Sequence, residues 1–347
     1  MIVKSLTAID LFCGAGGLTE GLKQAGFDVL AGVEIDAIAA QTYRLNHPEV
    51  KCFEKDIRQL SAQELMSNLN IQKGELDLLA GCPPCQGFST LRTRKKAIAK
   101  NDDRNELIFE YLRLVEDLLP KNIMLENVPA LAKDYRMTMF LEKLSELGYL
   151  INRDTIAIEN AADYGVPQRR KRMIVKVSRI IELESNPKSH GRVTVRECFA
   201  KANLPEVGAS GDFLHDYTQK RSPKVQAIIS SIPKDGGSRI DLPEHLILDC
   251  HKKNPTQFAD VYGRMRWDEV SPTITGGCIS PSKGRFLHPE KDRCITLREA
   301  SLLQTFPLDY KFPKVSQQAI ALMIGNALPP EFIKQQALML KNQLSSC

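Results

Sequence analysis

The chain has 347 residues, enough for two domains or for one large domain with an insertion. Apolar residues make up 43% and charged residues 26%, which argues against disordered, collagen-like and coiled-coil classes. Lys and Arg exceed Asp and Glu by only 5, a balance too mild to announce a nucleic-acid partner and no obstacle to one. A short apolar run at residues 8–13 ends in Gly14-Ala15-Gly16-Gly17, and helical spacing follows at 18–24 before Gly26. A second apolar run at 29–35 contains Glu34 near its end, and a helix is expected at 37–45, stopped near Pro48. A third strand at 51–57 and a helix at 62–69 come next. The run at 76–80 reads as a buried strand leading into Gly81-Cys82-Pro83-Pro84-Cys85. An amphipathic helix at 105–119 stops at Pro120, and a strand at 123–125 ends on Glu126-Asn127. A helix at 138–147 closes at Gly148, and strands near 151–158 and 173–177 flank a loop.

Strands alternating with helices predict a doubly wound α/β sheet. Ligands of such sheets bind beyond the carboxyl ends of the strands, which is where the glycine turn, Glu34, Asp56, Cys85 and Glu126 fall. From about 185 to 290 the chain is rich in Pro, Gly and Ser, as in PKDGGSRIDLP and SPTITGGCISPSKG. A second, smaller domain of turns and short strands is expected there, with a helix near 223–232. Helical spacing returns at 297–304, at 317–324 and after GNALPP. Nine cysteines lie scattered from Cys13 to Cys347, without the spacing of a disulfide framework. With no signal-like N-terminus and no membrane-length apolar run, they favour a reducing, intracellular compartment.

The glycine turn allows close backbone approach to a ligand, and the following helix offers free N–H groups. An acid 20 residues after Gly14, Glu34, suits ribose hydroxyls. Together they fit a nucleoside cofactor without choosing between NAD and S-adenosylmethionine; Asp56 could reach an adenine amine. Cys82-Pro-Pro-Cys85 admits a redox pair, half a zinc site or a single nucleophile. No second CxxC completes a zinc site, and a redox pair usually opens a helix in a thioredoxin-like domain. A nucleophilic thiol gains thiolate character near cations, and 92–96 and 168–172 supply basic runs. Most such runs are solvated surface, and phosphate binding is the rival reading. Glu126, leaving a very apolar strand, could be desolvated and partly protonated.

Taken in order, DLFCGAGG at 10–17, PPCQGFS at 83–89, ENV at 126–128, QRRKR at 168–172, REASLLQTFP at 298–307 and GNALPP at 325–330 resemble the C5-cytosine DNA methyltransferase family. The likeness spans almost the whole chain. It implies a Rossmann-like, S-adenosylmethionine-dependent fold with a smaller target-recognition domain. The implied catalytic domain is 1–186 plus 317–347, and the DNA-reading domain is 187–316. By resemblance, Cys85 adds to cytosine C6, Glu126 contacts N3 and the 4-amino group, and Asn127 holds the loop. Arg172 contacts O2, while Arg170 binds phosphate and supports the site. Phe12, Gly14 and Gly16 shape the methionine pocket, Glu34 takes the ribose, and Asp56 and Ile57 face adenine. Leu107 gives an apolar contact, and Asn326 and Ala327 close the pocket. Ile35 departs from the aromatic residue common after the ribose acid.

The resemblance also implies double-stranded DNA as substrate, with the target base flipped out beneath a basic loop from residue 87 to about 100. Gln86, Ser89, Arg92, Arg94, Lys95, Lys96 and Thr273 are the implied DNA contacts. S-adenosylhomocysteine would be the product and no metal is expected. The likeness is to compact bacterial or phage modification enzymes: a cytoplasmic, nucleoid-associated monomer with a cognate restriction endonuclease as functional partner. A tRNA-modifying offshoot usually departs from PCQGFS. An amino-methyltransferase would favour Asp/Asn-Pro-Pro-aromatic, and an NAD oxidoreductase leaves PPCQ, ENV and QRRKR unexplained. A noncatalytic DNA-binding protein on the same scaffold would not need the catalytic positions intact.

Overall fold

The strands form where the chain carries short apolar runs: β1 (Thr7–Leu11), β2 (Asp28–Glu34), β3 (Lys51–Glu54), β4 (Leu78–Gly81), β5 (Asn122–Asn127), β6 (Ile156–Asn160) and β7 (Lys171–Ser178). The computed structural model describes residues 5–84, 106–184, 191–252 and 257–345. Among them these strands make one sheet in the order β3-β2-β1-β4-β5-β7-β6. β1 to β5 are parallel, and β7 runs antiparallel between β5 and β6. The α/β expectation holds, with a mixed rather than uniformly parallel sheet. Every residue of β4 and β5 is buried, matching their continuous apolar runs.

Helices α1 (Gly17–Gln24), α2 (Ala37–Asn46), α3 (Ala62–Leu69), α4 (Leu107–Leu118) and α5 (Tyr135–Glu146) connect or flank these strands. Their starts are chemically marked: Asp36, Ser61 and Asp134 side chains accept main-chain N–H bonds at the N-caps of α2, α3 and α5. Buried residues of α3, α4 and α5, including Leu65, Tyr111 and Phe140, share one core with Ile9, Leu11, Leu79, Leu125 and Val175. Alternate strand residues point the other way. There Asp10 meets Thr19 of α1, and α1 packs on the last helix, α12 (Pro330–Ser345).

Two expected strands are shorter than their apolar runs. Residues 151–155 form a turn in which the Asn152 and Thr155 side chains take main-chain N–H bonds, so β6 begins only at Ile156. Beyond β3, Asp56 caps a short 3₁₀ turn, Ile57–Gln59, instead of continuing the strand.

The chain divides into two compact units: 1–161, 171–189 and 328–347 form one, and 162–170 with 190–327 form the other. Residues 317–327, assigned from the sequence to the catalytic domain, lie in the second unit. Its helices are α6 (Val195–Ala202), α7 (Phe213–Asp216), α8 (Pro223–Ser231), α9 (Asp249–Lys252), α10 (Leu297–Leu303) and α11 (Gln317–Asn326). The short strands expected there are absent among the described residues; only isolated bridges link Gln168 with Ser271, and Leu287 with Arg264 and Cys294. Pro and Gly interrupt every run before a ladder can extend. A small core of Ile228, Ile229, Ile232, Leu242, Tyr262 and Leu287 holds α8 to these segments.

Candidate active site

Strand order reverses between β1 and β4, so a crevice is expected outside their carboxyl ends. The end of β1 turns sharply: Phe12, Gly14 and Gly16 have φ of +62°, +55° and +93°. Phe12 holds this left-handed conformation without being glycine, a strained state that cores rarely tolerate without cause. A Cβ on Gly14 would meet nothing within 4 Å, so the turn borders open space. The Gly14 N–H donates to Glu34 Oε2 at 2.9 Å, and the Asp36 N–H donates to Oε1 at 2.8 Å. Burial pushes the Glu34 carboxyl above its ordinary range, against the pull of those N–H bonds. A carboxylate fixed by two amides beside an open glycine turn fits a ribose diol, which would donate to its remaining lone pairs.

Other expected cofactor residues surround different features. Asp56 accepts from the Arg58 N–H at 3.0 Å and pairs with the Arg58 guanidinium at 2.7 Å; that hydrogen-bonded partner holds its carboxyl below the usual range. Ile57 is buried, Leu107 is partly buried against the core at the start of α4, and Ile35 is 63% exposed. Asn326 is exposed at the end of α11 and Ala327 caps it.

The catalytic end is built on β4, β5 and β7. Antiparallel pairing sets the start of β7 beside the end of β5, with Asn127 opposite Met173. Arg172, one residue earlier, places its Nε 2.8 Å from Glu126 Oε1, and Glu126 is only 2% exposed. The Cys82 thiol donates to Glu126 Oε2 at 2.7 Å. Asn127 Nδ2 donates to the Pro83 carbonyl at 2.9 Å, and Asn127 Oδ1 accepts from the Val128 N–H at 2.8 Å. The carboxylate, an arginine and the segment leading to Cys85 therefore converge at the carboxyl ends of β4 and β5. Cys85 itself, with Gln86, Ser89, Arg92, Arg94, Lys95 and Lys96, lies outside the described residues.

The second unit holds the remaining motif residues. Arg170, expected to bind phosphate and support the site, has its side chain placed inward. It is 3% exposed and donates to the Ile274 and Gly325 carbonyls at 3.2 Å. Gln168 Nε2 donates to Gln304 Oε1 at 2.8 Å, and Gln168 Oε1 accepts from the Ile274 N–H at 2.8 Å. Gln304 in turn donates to the Ile324 and Ala327 carbonyls. QRRKR, SPTIT, REASLLQTFP and GNALPP thus meet in one buried polar knot. Gly325 is needed there, because a Cβ would lie 2.2 Å from the Thr275–Gly276 backbone. Thr273 donates its hydroxyl to the Arg169 carbonyl at 2.5 Å. Gln168 and Gln304 stood inside quoted motifs but carried no assigned role, since glutamine has no signal until its partner is known. Among the described residues, no cluster of His, Cys, Asp or Glu is arranged to hold a metal ion.

A doubly wound sheet with a cofactor-type glycine turn at β1 and a buried acid–arginine pair at β5 and β7 is the frame of an enzyme that takes a nucleoside cofactor. A sequence model described as C-5 cytosine-specific DNA methylase matches residues 6–342, and the chain belongs to that family: it is a DNA (cytosine-5)-methyltransferase. The chain is 37% identical to the Type II methylase M.HgiDII of Herpetosiphon aurantiacus over 333 residues, covering 92% of this chain and 91% of that one. It is 33% identical to the Type II methyltransferase M1.HphI of Haemophilus parahaemolyticus, covering 94% and 84%. A crystal structure of a prophage-encoded Escherichia coli protein, described as a DNA modification methyltransferase, superposes with a TM-score of 0.75 at 25% identity, covering 98% of this chain and 100% of that one.

Proposed function

We propose that the enzyme methylates C5 of a cytosine flipped out of a specific duplex sequence, through a covalent bond between Cys85 and C6. The observation that carries this reading is the buried Glu126 held between Arg172 and the Cys82–Pro84 segment, directly ahead of Cys85 in the chain. Carbon 5 of cytosine is a poor nucleophile. Addition of the Cys85 thiolate to C6 moves the ring electrons onto C5. Glu126 stabilises that electron flow by giving a proton to N3 and accepting from the 4-amino group, and Arg172 orients the carboxylate and meets O2. S-adenosylmethionine supplies the electrophilic methyl group. Water then takes the C5 proton, the C6–S bond breaks to release the Cys85 thiolate, and the N3 proton returns to Glu126, restoring the ring. Phe12, Gly14, Gly16 and Glu34 hold the methionine and ribose ends of the cofactor, with Asp56, Ile57, Ile35 and Leu107 at the adenine side and Asn326 and Ala327 closing from α11. Arg170 acts by positioning its neighbours, since its two terminal nitrogens donate to the Ile274 and Gly325 carbonyls.

Residues 187–316 read the DNA, with Thr273 near the flipped base, while Gln86, Ser89, Arg92, Arg94, Lys95 and Lys96 contact the duplex around it. The Type II names of the relatives support a restriction–modification setting, with a cognate endonuclease as functional partner of a cytoplasmic monomer. DNA containing 5-fluorocytosine tests the chemistry, because fluorine cannot leave as the proton does. A complex that survives denaturation is expected from the wild type and lost in Cys85→Ala, which should still bind DNA. Release of the DNA on denaturation, with cofactor present, overturns the Cys85 assignment. Bisulfite sequencing of DNA from expressing cells gives the target context.

A further inference from the structure

The Glu126 carboxylate is gripped from two sides by groups of different charge. Arg172 Nε sits 2.8 Å from Oε1, and the neutral Cys82 thiol donates to Oε2 at 2.7 Å. Cys82 is not placed there by a loose loop. Its own N–H donates to the Leu11 carbonyl at 3.2 Å, extending the β1–β4 ladder by one bond. The next carbonyl, of Pro83, accepts from Asn127, the residue following Glu126. The main chain around the thiol is therefore tied to β1 on one side and to β5 on the other.

We propose that Cys82 is a positioning residue that sets the orientation and proton affinity of Glu126. This rests on the proton-donating role of Glu126 proposed above. A thiol is a weak donor. It holds the carboxylate plane while the site waits for substrate, and it yields easily to the stronger N–H donors of a base. A second cation at Oε2 would instead lock the group in its ionised form and oppose its loading with a proton. A donor to a carboxylate favours the ionised form, a hydroxyl more strongly than a thiol and a methyl group not at all.

The test is the pH dependence of methyl transfer and of 5-fluorocytosine adduct formation, from pH 5.5 to 9, for full-length wild type, Cys82→Ala and Cys82→Ser. Cys82→Ala should move the limb governed by Glu126 upward by roughly half to one pH unit, and change kcat near neutrality by about 3- to 10-fold. KM for DNA and for cofactor should stay within about 2-fold. Cys82→Ser should move the limb the other way, and it decides the matter alone if the alanine variant fails to fold. Variants whose profiles superpose on the wild type overturn the inference while leaving the methyl-transfer mechanism intact. A purely structural role would lower the amount of active enzyme or raise KM without moving the limb, and that result also overturns it. A wild type that forms no adduct overturns both readings.

Discussion

Asp10 in the first unit and Glu299 in the second are both buried carboxyls, and the two units treat them in opposite ways. Asp10 lies on β1 in the sheet, accepts one hydroxyl bond from Thr19 at 2.7 Å, and leaves its other oxygen without a hydrogen-bond partner. Burial dominates, and its pKa is pushed up to about 7. Glu299 lies on α10 and receives both arms of Arg293, at 2.7 and 2.8 Å, as well as the Thr296 N–H at 2.7 Å. Burial pushes it upward, but Arg293, His288 and the Thr296 N–H together outweigh burial and hold it below the ordinary range. The difference reflects how each unit satisfies its main chain. In the sheet the ladders consume the backbone groups, so most buried side chains are apolar and Asp10 meets no cation among the described residues, while Glu126 at the end of β5 meets Arg172. The second unit has few ladders, so side-chain cations take over. Arg264 is fully buried and donates to the carbonyls of Ile229, Ile232, His288 and Lys291 while pairing with Asp292. Arg285 and Arg170 do the same on a smaller scale.

Removing the arginine that organises the second unit should break this contrast most severely. Arg264→Leu removes a donor from four carbonyls, of which only Ile229 and Lys291 keep a main-chain N–H, and takes the guanidinium from Asp292; it is expected to cost about 3–5 kcal/mol in urea denaturation, with lost hydrogen-exchange protection centred on 223–295. A loss below about 1 kcal/mol would mean that the carbonyls find other partners. The two acids should give opposite pH slopes. The stability from a raised folded pKa is present below the unfolded value and is lost as pH rises, so Asp10 should withdraw roughly 4 kcal/mol between the ordinary 3.8 and about 7. Asp10→Asn should flatten that fall; an unchanged slope would remove Asp10 from the account. Glu299→Gln should act in reverse, losing stability at neutral pH, with the deficit closing as acid protonates the wild type. Gly325→Ala forces a Cβ against the Thr275–Gly276 backbone and should cost about 1–3 kcal/mol by thermal melting, with exchange protection lost first around 274–276. Wild-type protection there would show that the close approach relaxes freely. Smallest is Ser61→Ala at the N-cap of α3, about 1 kcal/mol, with no regional effect beyond that helix.

Much of the first unit was legible because its signals are local. Helix α3 falls on the expected 62–69, and β5 extends the expected run by one residue before it and two after. Glycine spacing and an acid 20 residues on marked the Gly14 turn and Glu34, which the structure joins by a hydrogen bond. Less was legible where side chains replace ladders. The basic run 168–172 suggested phosphate, yet Arg170 faces inward and Arg172 faces Glu126. Charge marks a residue as polar without saying whether its partner is a ligand, an acid or a carbonyl.

The sequence by itself determined the alternation of strands and helices, the glycine turn, the acid at Glu34 and the family to which the motifs point. Each depends on periodicity or on a short fixed spacing, which a chain carries in its local order. Only the tertiary structure decided that β7 enters antiparallel beside β5, and with it that Arg172 meets Glu126. It alone joined Cys82 to Glu126 and Pro83 to Asn127, pairs 44 residues apart in the chain. Such contacts are fixed by strand order and register, and no local pattern of residue types encodes those.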